Sequence, residues 1–161
     1  MSSEVYIVGA ARTPVGSFQG ALANQSAPQL GAHAIAAAIS QAGIDASGID
    51  EVIMGNVVSA GLKQAPARQA MRQAELPDSC GATTINKVCG SGMKATMLAT
   101  DLIRAGSANT VVAGGMESMS NAPFLVDKAR AGLRMGHSQM LDALFTDGLE
   151  DAETGGSMGS F

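Results

Sequence analysis

Short apolar runs alternate along this chain with stretches whose apolar residues recur every three or four positions. Val5-Tyr6-Ile7-Val8-Gly9-Ala10 is continuous and apolar, the pattern of a strand buried on both faces of a parallel sheet, and predicts a first strand. Ser26 then precedes Ala27-Pro28, and Ile35, Ala38, Ile39 and Ala42 recur at helical spacing before Gly43. This predicts a capped helix with one buried stripe. Val52 to Val58 reads as a second strand. Pro66 opens a shorter helix that buries Ala67, Ala70, Met71 and Ala74 and ends by Pro77. Cys80 to Asn86 reads as a weaker strand, Gly90 to Ala105 as a helix burying Ala95, Leu98, Ala99, Leu102 and Ile103, and Thr110 to Gly114 as a further strand. Strands and helices alternating at these lengths predict an α/β sheet with right-handed crossovers.

Beyond Met116 the periodicity fails. Glu117 to Phe161 offers at most one short helix, near Ser138 to Phe145, and is longer than a compact domain leaves irregular. The expectation is of a domain cut off partway, with no internal repeat.

Composition narrows the function. The 161 residues are 46% hydrophobic and 15% charged, too apolar for a disordered tail and too interrupted for a membrane span. A net charge of −4, no basic run and only five aromatic residues argue against nucleic acid. Two cysteines and two histidines, Cys80, Cys89, His33 and His137, have no zinc-site spacing and make no disulfide framework. Met1 to Val5 resembles neither a secretory signal nor a transit peptide, so the expected location is a reducing, cytoplasmic compartment.

The chemistry concentrates in Asn86-Lys87-Val88-Cys89-Gly90-Ser91-Gly92-Met93-Lys94-Ala95, where a strand ends, a cysteine occupies the turn and small residues lead into a helix. Amides left unsatisfied at a helix start favour a thiolate, and the glycines let a substrate carbonyl approach the backbone. Cys89 is therefore the candidate nucleophile; the plainer alternative is a small buried apolar residue. Cys80, on the preceding strand, reads as core. A second alternative is dinucleotide binding, because Gly90 to Ala95 fits G-x-G-x-x-A and Glu117 closes the following strand where a ribose-binding acid would lie. Against it, the fingerprint would follow the third strand instead of the first. No base for Cys89 is evident. His33 stands about 200° around its helix from Ile35, at ~100° per residue, facing water, and His137 lies in the irregular tail. The partner base is expected on other polypeptide.

Five ordered motifs resemble the thiolase family, specifically the N-terminal part of an acetyl-CoA C-acetyltransferase. They are Ala10 to Phe18, Pro66 to Ala70, Asn86 to Ala95, Gly114 to Ser120, and Asp147-Gly148-Leu149 with Met158-Gly159. The resemblance implies an α/β thiolase fold of α-β-α-β-α layers. Residues 1–119 would be an N-terminal α/β domain lacking its last strand, and 120–161 the start of a substrate-binding loop domain. The family completes this half with a further strand and adds a second half carrying an Asn-Glu-Ala-Phe motif, a Gly-His-Pro histidine and a second cysteine, none of which occurs here.

By the same resemblance Cys89 would carry an acyl-thioester in the reversible condensation of two acetyl-CoA to acetoacetyl-CoA and CoA, with its backbone amide as one oxyanion donor. Leu149, Ser157 and Met158 would line the pantetheine and acyl pocket. Several acetoacetyl-specific relatives have histidine where Ser157 stands, which leaves chain-length preference open. Asn121 to Gln139, with Lys128, Arg130 and Arg134, matches a tetramerisation loop, and Ala82 to Asn86 a dimer interface. No cofactor or metal is implied; the partners would be CoA thioesters and a homodimer or tetramer with the complementary half. The chain alone is expected to be inactive. The competing functional class is a non-catalytic remnant or interaction module.

Overall fold

The computed structural model describes residues 4–160. Helix α1 (Ala27–Ala42) starts at a capping box: Gln29 N–H donates to Ser26 Oγ while Gln29 Oε1 accepts from Ser26 N–H at 2.8 Å. Such a cap contributes about 1 kcal/mol. The helix stops at Gly43, whose left-handed φ of 65° costs glycine little. Strand β1 (Glu51–Gly55), helix α2 (Pro66–Gln73), strand β2 (Gly81–Ile85), helix α3 (Ser91–Arg104) and strand β3 (Val111–Gly115) follow. These match the sequence reading to within a few residues at each end.

The three strands form a parallel sheet in the order β2-β1-β3, with Glu51 opposite Gly81 on one side and Val111 on the other. As the middle strand, β1 is buried from Val52 to Gly55. Side chains alternate along it, which sorts the layers. Val52 and Met54 join one core with Ile35 of α1, Ala67, Ala70 and Met71 of α2, Leu76 and Cys80. Gly55, of opposite parity, faces the start of α3. The result is α1 and α2 on one face and α3 on the other, as right-handed crossovers require.

One expectation fails and another shifts. Val5 to Ala10 joins no strand: it runs as extended chain, with Tyr6 72%, Ile7 82% and Val8 63% exposed. An apolar run becomes a strand only where a neighbour takes its backbone hydrogen bonds, and the described residues bring none to its side. The short helix expected near Ser138 to Phe145 is displaced toward the C-terminus, its helical residues running from 143 to 149. Residues Met140–Asp142 form β5, antiparallel to β4 (Phe124–Val126), and a wide helical turn follows at Phe145–Leu149. Cross-strand pairs such as Leu125 with Leu141 override the local helical pattern.

The segment after β3 is tied back to the loop before α1. Ser118 Oγ donates to Gln25 O at 2.7 Å, and Asn121 Nδ2 to Ala23 O at 2.8 Å. No helix among the described residues is long and apolar enough to cross a membrane.

Candidate active site

At the carboxyl end of β2 the chain must reverse within a few residues to enter α3, and the local bonds show how. Val88 N–H donates to Asn86 Oδ1 at 2.9 Å, Gly90 N–H to Lys87 O at 3.1 Å, and Ser91 N–H to Val88 O at 3.1 Å. Ser91, only 4% exposed, latches the turn with its hydroxyl: Oγ accepts from Lys87 N–H at 2.8 Å and donates to Val88 O at 2.6 Å. Val88 is forced to a φ of 47°, a left-handed conformation that a β-branched residue adopts only under strain. Strain of this kind costs about 1–3 kcal/mol and persists where the surroundings over-determine it.

The turn lifts Cys89 into solvent as an exposed thiol, one residue before the Gly90 cap of α3. Gly90 has no side chain to cap the helix. Lys94 N–H bonds Gly90 O at 2.9 Å, but the amides of Cys89, Gly92 and Met93 donate to no acceptor among the described residues. Three free N–H groups beside one accessible sulfur form a cradle for negative charge.

Glycines let the helix start sit this deep. A Cβ on Gly55 would lie 2.5 Å from Ser91 Cβ, and one on Gly92 would lie 3.6 Å from the backbone of Gly114 and Gly115. The Cys89 turn is thus seated on the carboxyl ends of β1 and β3 as well as β2. Those ends are bolted together by Glu117, which accepts from Asn56 Nδ2 at 2.7 Å and from the amides of Val57 and Val58 at 2.8 and 3.3 Å. Asn56 is 3% exposed, and its Oδ1 has no partner among the described residues. Spent on the backbone of this loop, Glu117 is not free to grip a ribose, which removes the support for dinucleotide binding.

Cys80 differs from Cys89 as expected. It is 3% exposed, and burial first, then the charges of Glu51 and Asp50, push its thiol pKa up. His33 and His137 are exposed, on α1 and in the 132–139 loop, and neither is hydrogen-bonded to Cys89.

Leu149, Ser157 and Met158 gather by another route. An antiparallel bridge joins Glu150 to Ser157, which brings Leu149 and Met158 together on the same side of it, 36% and 46% exposed. A Cβ on Gly148 would lie 3.2 Å from Val58 Cγ2, so this unit rests on the loop after β1, at the same end of the sheet as Cys89. No hydrogen bond ties the three residues to the Cys89 turn. Sequence reasoning overlooked Ser91 and the Asn56–Glu117 clamp. A serine at the first helical position was the only signal for the former, and for the latter there was none short of the fold.

The chain is 53% identical over 149 residues to the acetyl-CoA acetyltransferase of Pseudomonas aeruginosa, covering 92% of this chain and 38% of that protein. It is 54% identical over 154 residues to the acetyl-CoA acetyltransferase of Escherichia coli K12, covering 95% and 39%. A crystal structure of the Acat5 thiolase from Ascaris suum in complex with coenzyme A superposes with a TM-score of 0.91 at 45% identity, over 96% of this chain and 40% of that one. The chain therefore spans about two fifths of the length of these relatives, and the fold is that of a partial thiolase. With the thiolase N-terminal domain profile matched over residues 5–161, the chain belongs to the thiolase family.

Proposed function

We propose that Cys89 is the nucleophile of an acetyl-CoA C-acetyltransferase that becomes active when the remainder of a thiolase polypeptide joins this chain. The carrying observation is the exposed Cys89 thiol at the open start of α3, beside the unpaired amides of Cys89, Gly92 and Met93. In the first half-reaction Sγ attacks the carbonyl carbon of acetyl-CoA and the carbon–sulfur bond to CoA breaks. CoA leaves as its thiol after taking a proton, and the acetyl group remains on Cys89. The amide of Cys89 supports the oxyanion in this step, one of the two donors such an intermediate needs.

In the second half-reaction a base on the complementary polypeptide removes an α-proton from another acetyl-CoA. The carbanion attacks the acetyl-thioester, giving acetoacetyl-CoA and freeing Cys89. All steps reverse under thiolysis.

The substrate is a CoA thioester, in line with the coenzyme A bound by the Ascaris thiolase and the names of the acetyltransferase relatives. Residues 1–119 act as the nucleophile-bearing α/β domain, and 120–161 open a loop domain whose Leu149, Ser157 and Met158 contact the pantetheine and acyl groups. Their gathering beside Val58 supports this assignment. The exposed 121–139 segment mediates tetramer contacts, and the edge strand β2 mediates dimer contacts. No cofactor beyond the thioesters is needed, and two unpaired cysteines suit the reducing cytoplasm.

Protein containing both halves, incubated with radiolabelled acetyl-CoA and digested, should carry label on the Cys89 peptide. Active enzyme without label there overturns the assignment. The chain alone should show no turnover, because neither His33 nor His137 is hydrogen-bonded to Cys89; thiolysis by the isolated chain would refute the need for a second half.

A further inference from the structure

Gly148 lies in the wide turn Phe145–Leu149, which Glu150 N–H closes by donating to Phe145 O at 2.8 Å. Its φ is outside the left-handed region, so the backbone there does not call for glycine. What the position calls for is space. Beyond the turn itself, the one atom among the described residues that a Cβ at 148 would meet is Val58 Cγ2, at 3.2 Å. Side-chain carbons rarely come so close, and Val58, 6% exposed, is packed with little room to withdraw.

Val58 is also fixed from behind. Glu117 accepts from the amides of Val57 and Val58 at 2.8 and 3.3 Å and, with its other oxygen, from Asn56 Nδ2 at 2.7 Å, which ties the loop after β1 to the end of β3. On the other side of the contact, the turn carrying Gly148 runs directly into Leu149 and the bridge of Glu150 with Ser157. Asp151 N–H donates to Gly156 O and Gly155 N–H to Asp151 O, both at 2.8 Å, which stiffens this hairpin internally. Leu149 and Met158 therefore move with it as one piece. A series of packed contacts runs from the sheet to these two side chains, and its tightest step is a valine methyl against a bare glycine.

We propose that the Val58–Gly148 contact is a specificity determinant: it sets how far Leu149 and Met158 stand from the sheet end that carries Cys89, and hence the length of acyl group accepted. Glu117 is a positioning residue that acts through Val58. The inference rests on the assignment of Leu149 and Met158 to the acyl pocket made above. With valine at 58 and no side chain at 148 the hairpin sits low, which suits an acetyl group. A carbon added at the contact must lift the hairpin by a few tenths of an ångström, because the buried, clamped Val58 does not yield, and the widened gap admits longer chains. One methylene in an apolar pocket changes discrimination by about 10- to 200-fold, so a fraction of that is readable.

The test uses protein containing both halves and compares acetyl-CoA with butanoyl-CoA, read as exchange of the acyl group onto labelled free CoA and as acyl label on Cys89. Gly148→Ala should raise the butanoyl-to-acetyl ratio of kcat/KM at least five-fold, mainly through a lower KM for butanoyl-CoA. Adding Val58→Ala in that background should return the ratio to within two-fold of the parent. Val58→Leu crowds the same contact from the other side, so it should shift the ratio in the same direction and keeps the test decisive should Gly148→Ala fail to fold. Glu117→Gln should raise the ratio at least two-fold through KM, whereas a purely structural role would lower kcat for both substrates together. An unchanged ratio in Gly148→Ala and Val58→Leu, or a shift that Val58→Ala does not reverse, overturns the proposal. A shifted and rescued ratio without label on Cys89 would sink the nucleophile assignment and keep the contact; label on Cys89 with an unchanged ratio would do the reverse.

Discussion

Glu117, just past the end of β3, grips Asn56, just past the end of β1: Oε1 accepts from Asn56 Nδ2 at 2.7 Å while Oε2 takes the Val57 and Val58 amides at 2.8 and 3.3 Å. One carboxylate thus closes the carboxyl edge of the sheet on which the Cys89 turn is seated. Glu117→Gln swaps one acceptor oxygen for an NH₂ that faces other donors. It should destabilise the chain by about 1–3 kcal/mol, the usual cost of leaving such groups unpaired. Urea denaturation reads this directly, and an unchanged midpoint would mean that the clamp is ornamental to stability.

Ser91→Ala removes the hydroxyl that holds both Lys87 N–H and Val88 O. The expected loss is about 1–2 kcal/mol for two hydrogen bonds, one of them leaving a donor unpaired. Hydrogen exchange should accelerate at the Lys87 amide while amides in β1 stay protected. Uniform acceleration across the sheet would show that Ser91 supports the whole domain and not the turn.

Gly55→Ala inserts a methyl group 2.5 Å from Ser91 Cβ and 2.8 Å from Ser91 carbonyl carbon, inside van der Waals contact with main chain. Overpacking against backbone costs about 1–3 kcal/mol, and the start of α3 must rise to relieve it. Enzyme assembled with this variant should lose acetyl transfer to Cys89 more than it loses melting temperature. A normal labelling rate would show that the depth of the helix start does not matter.

Accessibility separates the two thiols. Iodoacetamide should modify the exposed Cys89 at least ten-fold faster than Cys80, which is buried and whose pKa is pushed up by desolvation and by Glu51 and Asp50. Peptide mapping after a short pulse gives the ratio. Equal labelling of the folded chain would contradict the placement of Cys80.

Asp50 contributes to the pH dependence, alongside Asp45 and Asp151, whose pKa values are also lowered by local hydrogen bonds. Its carboxylate accepts from the Asn109 amide at 2.7 Å and the Thr110 amide at 3.0 Å, and those bonds hold its pKa below the usual carboxylate range. A group whose pKa is depressed by folding stabilises the folded state above its unfolded pKa, and loses that contribution as pH falls through the folded value. The melting temperature should therefore drop as pH is lowered through and below the ordinary aspartate range, and Asp50→Asn should flatten that drop. Parallel curves for the two proteins would remove Asp50 from the account.

What the sequence by itself determined is what neighbours in the chain can decide. Ser26 with Gln29 caps α1, Gly43 ends it, Pro66 opens α2, and the strand-turn-helix around Cys89 follows from residues within a few positions of one another. Caps, helical stripes and tight turns are local, so their energies are legible before the chain folds. The tertiary structure alone decided which apolar runs find partners: Val52 to Gly55 became the buried middle strand, whereas Val5 to Ala10, equally apolar, was left unpaired. It also set Glu117 on the loop after β1, gathered Leu149 with Met158, and turned Met140–Asp142 into a strand. Each of these depends on a backbone or side-chain partner from elsewhere in the chain, and the pairing of such segments is a property of topology, which no local pattern of residues encodes.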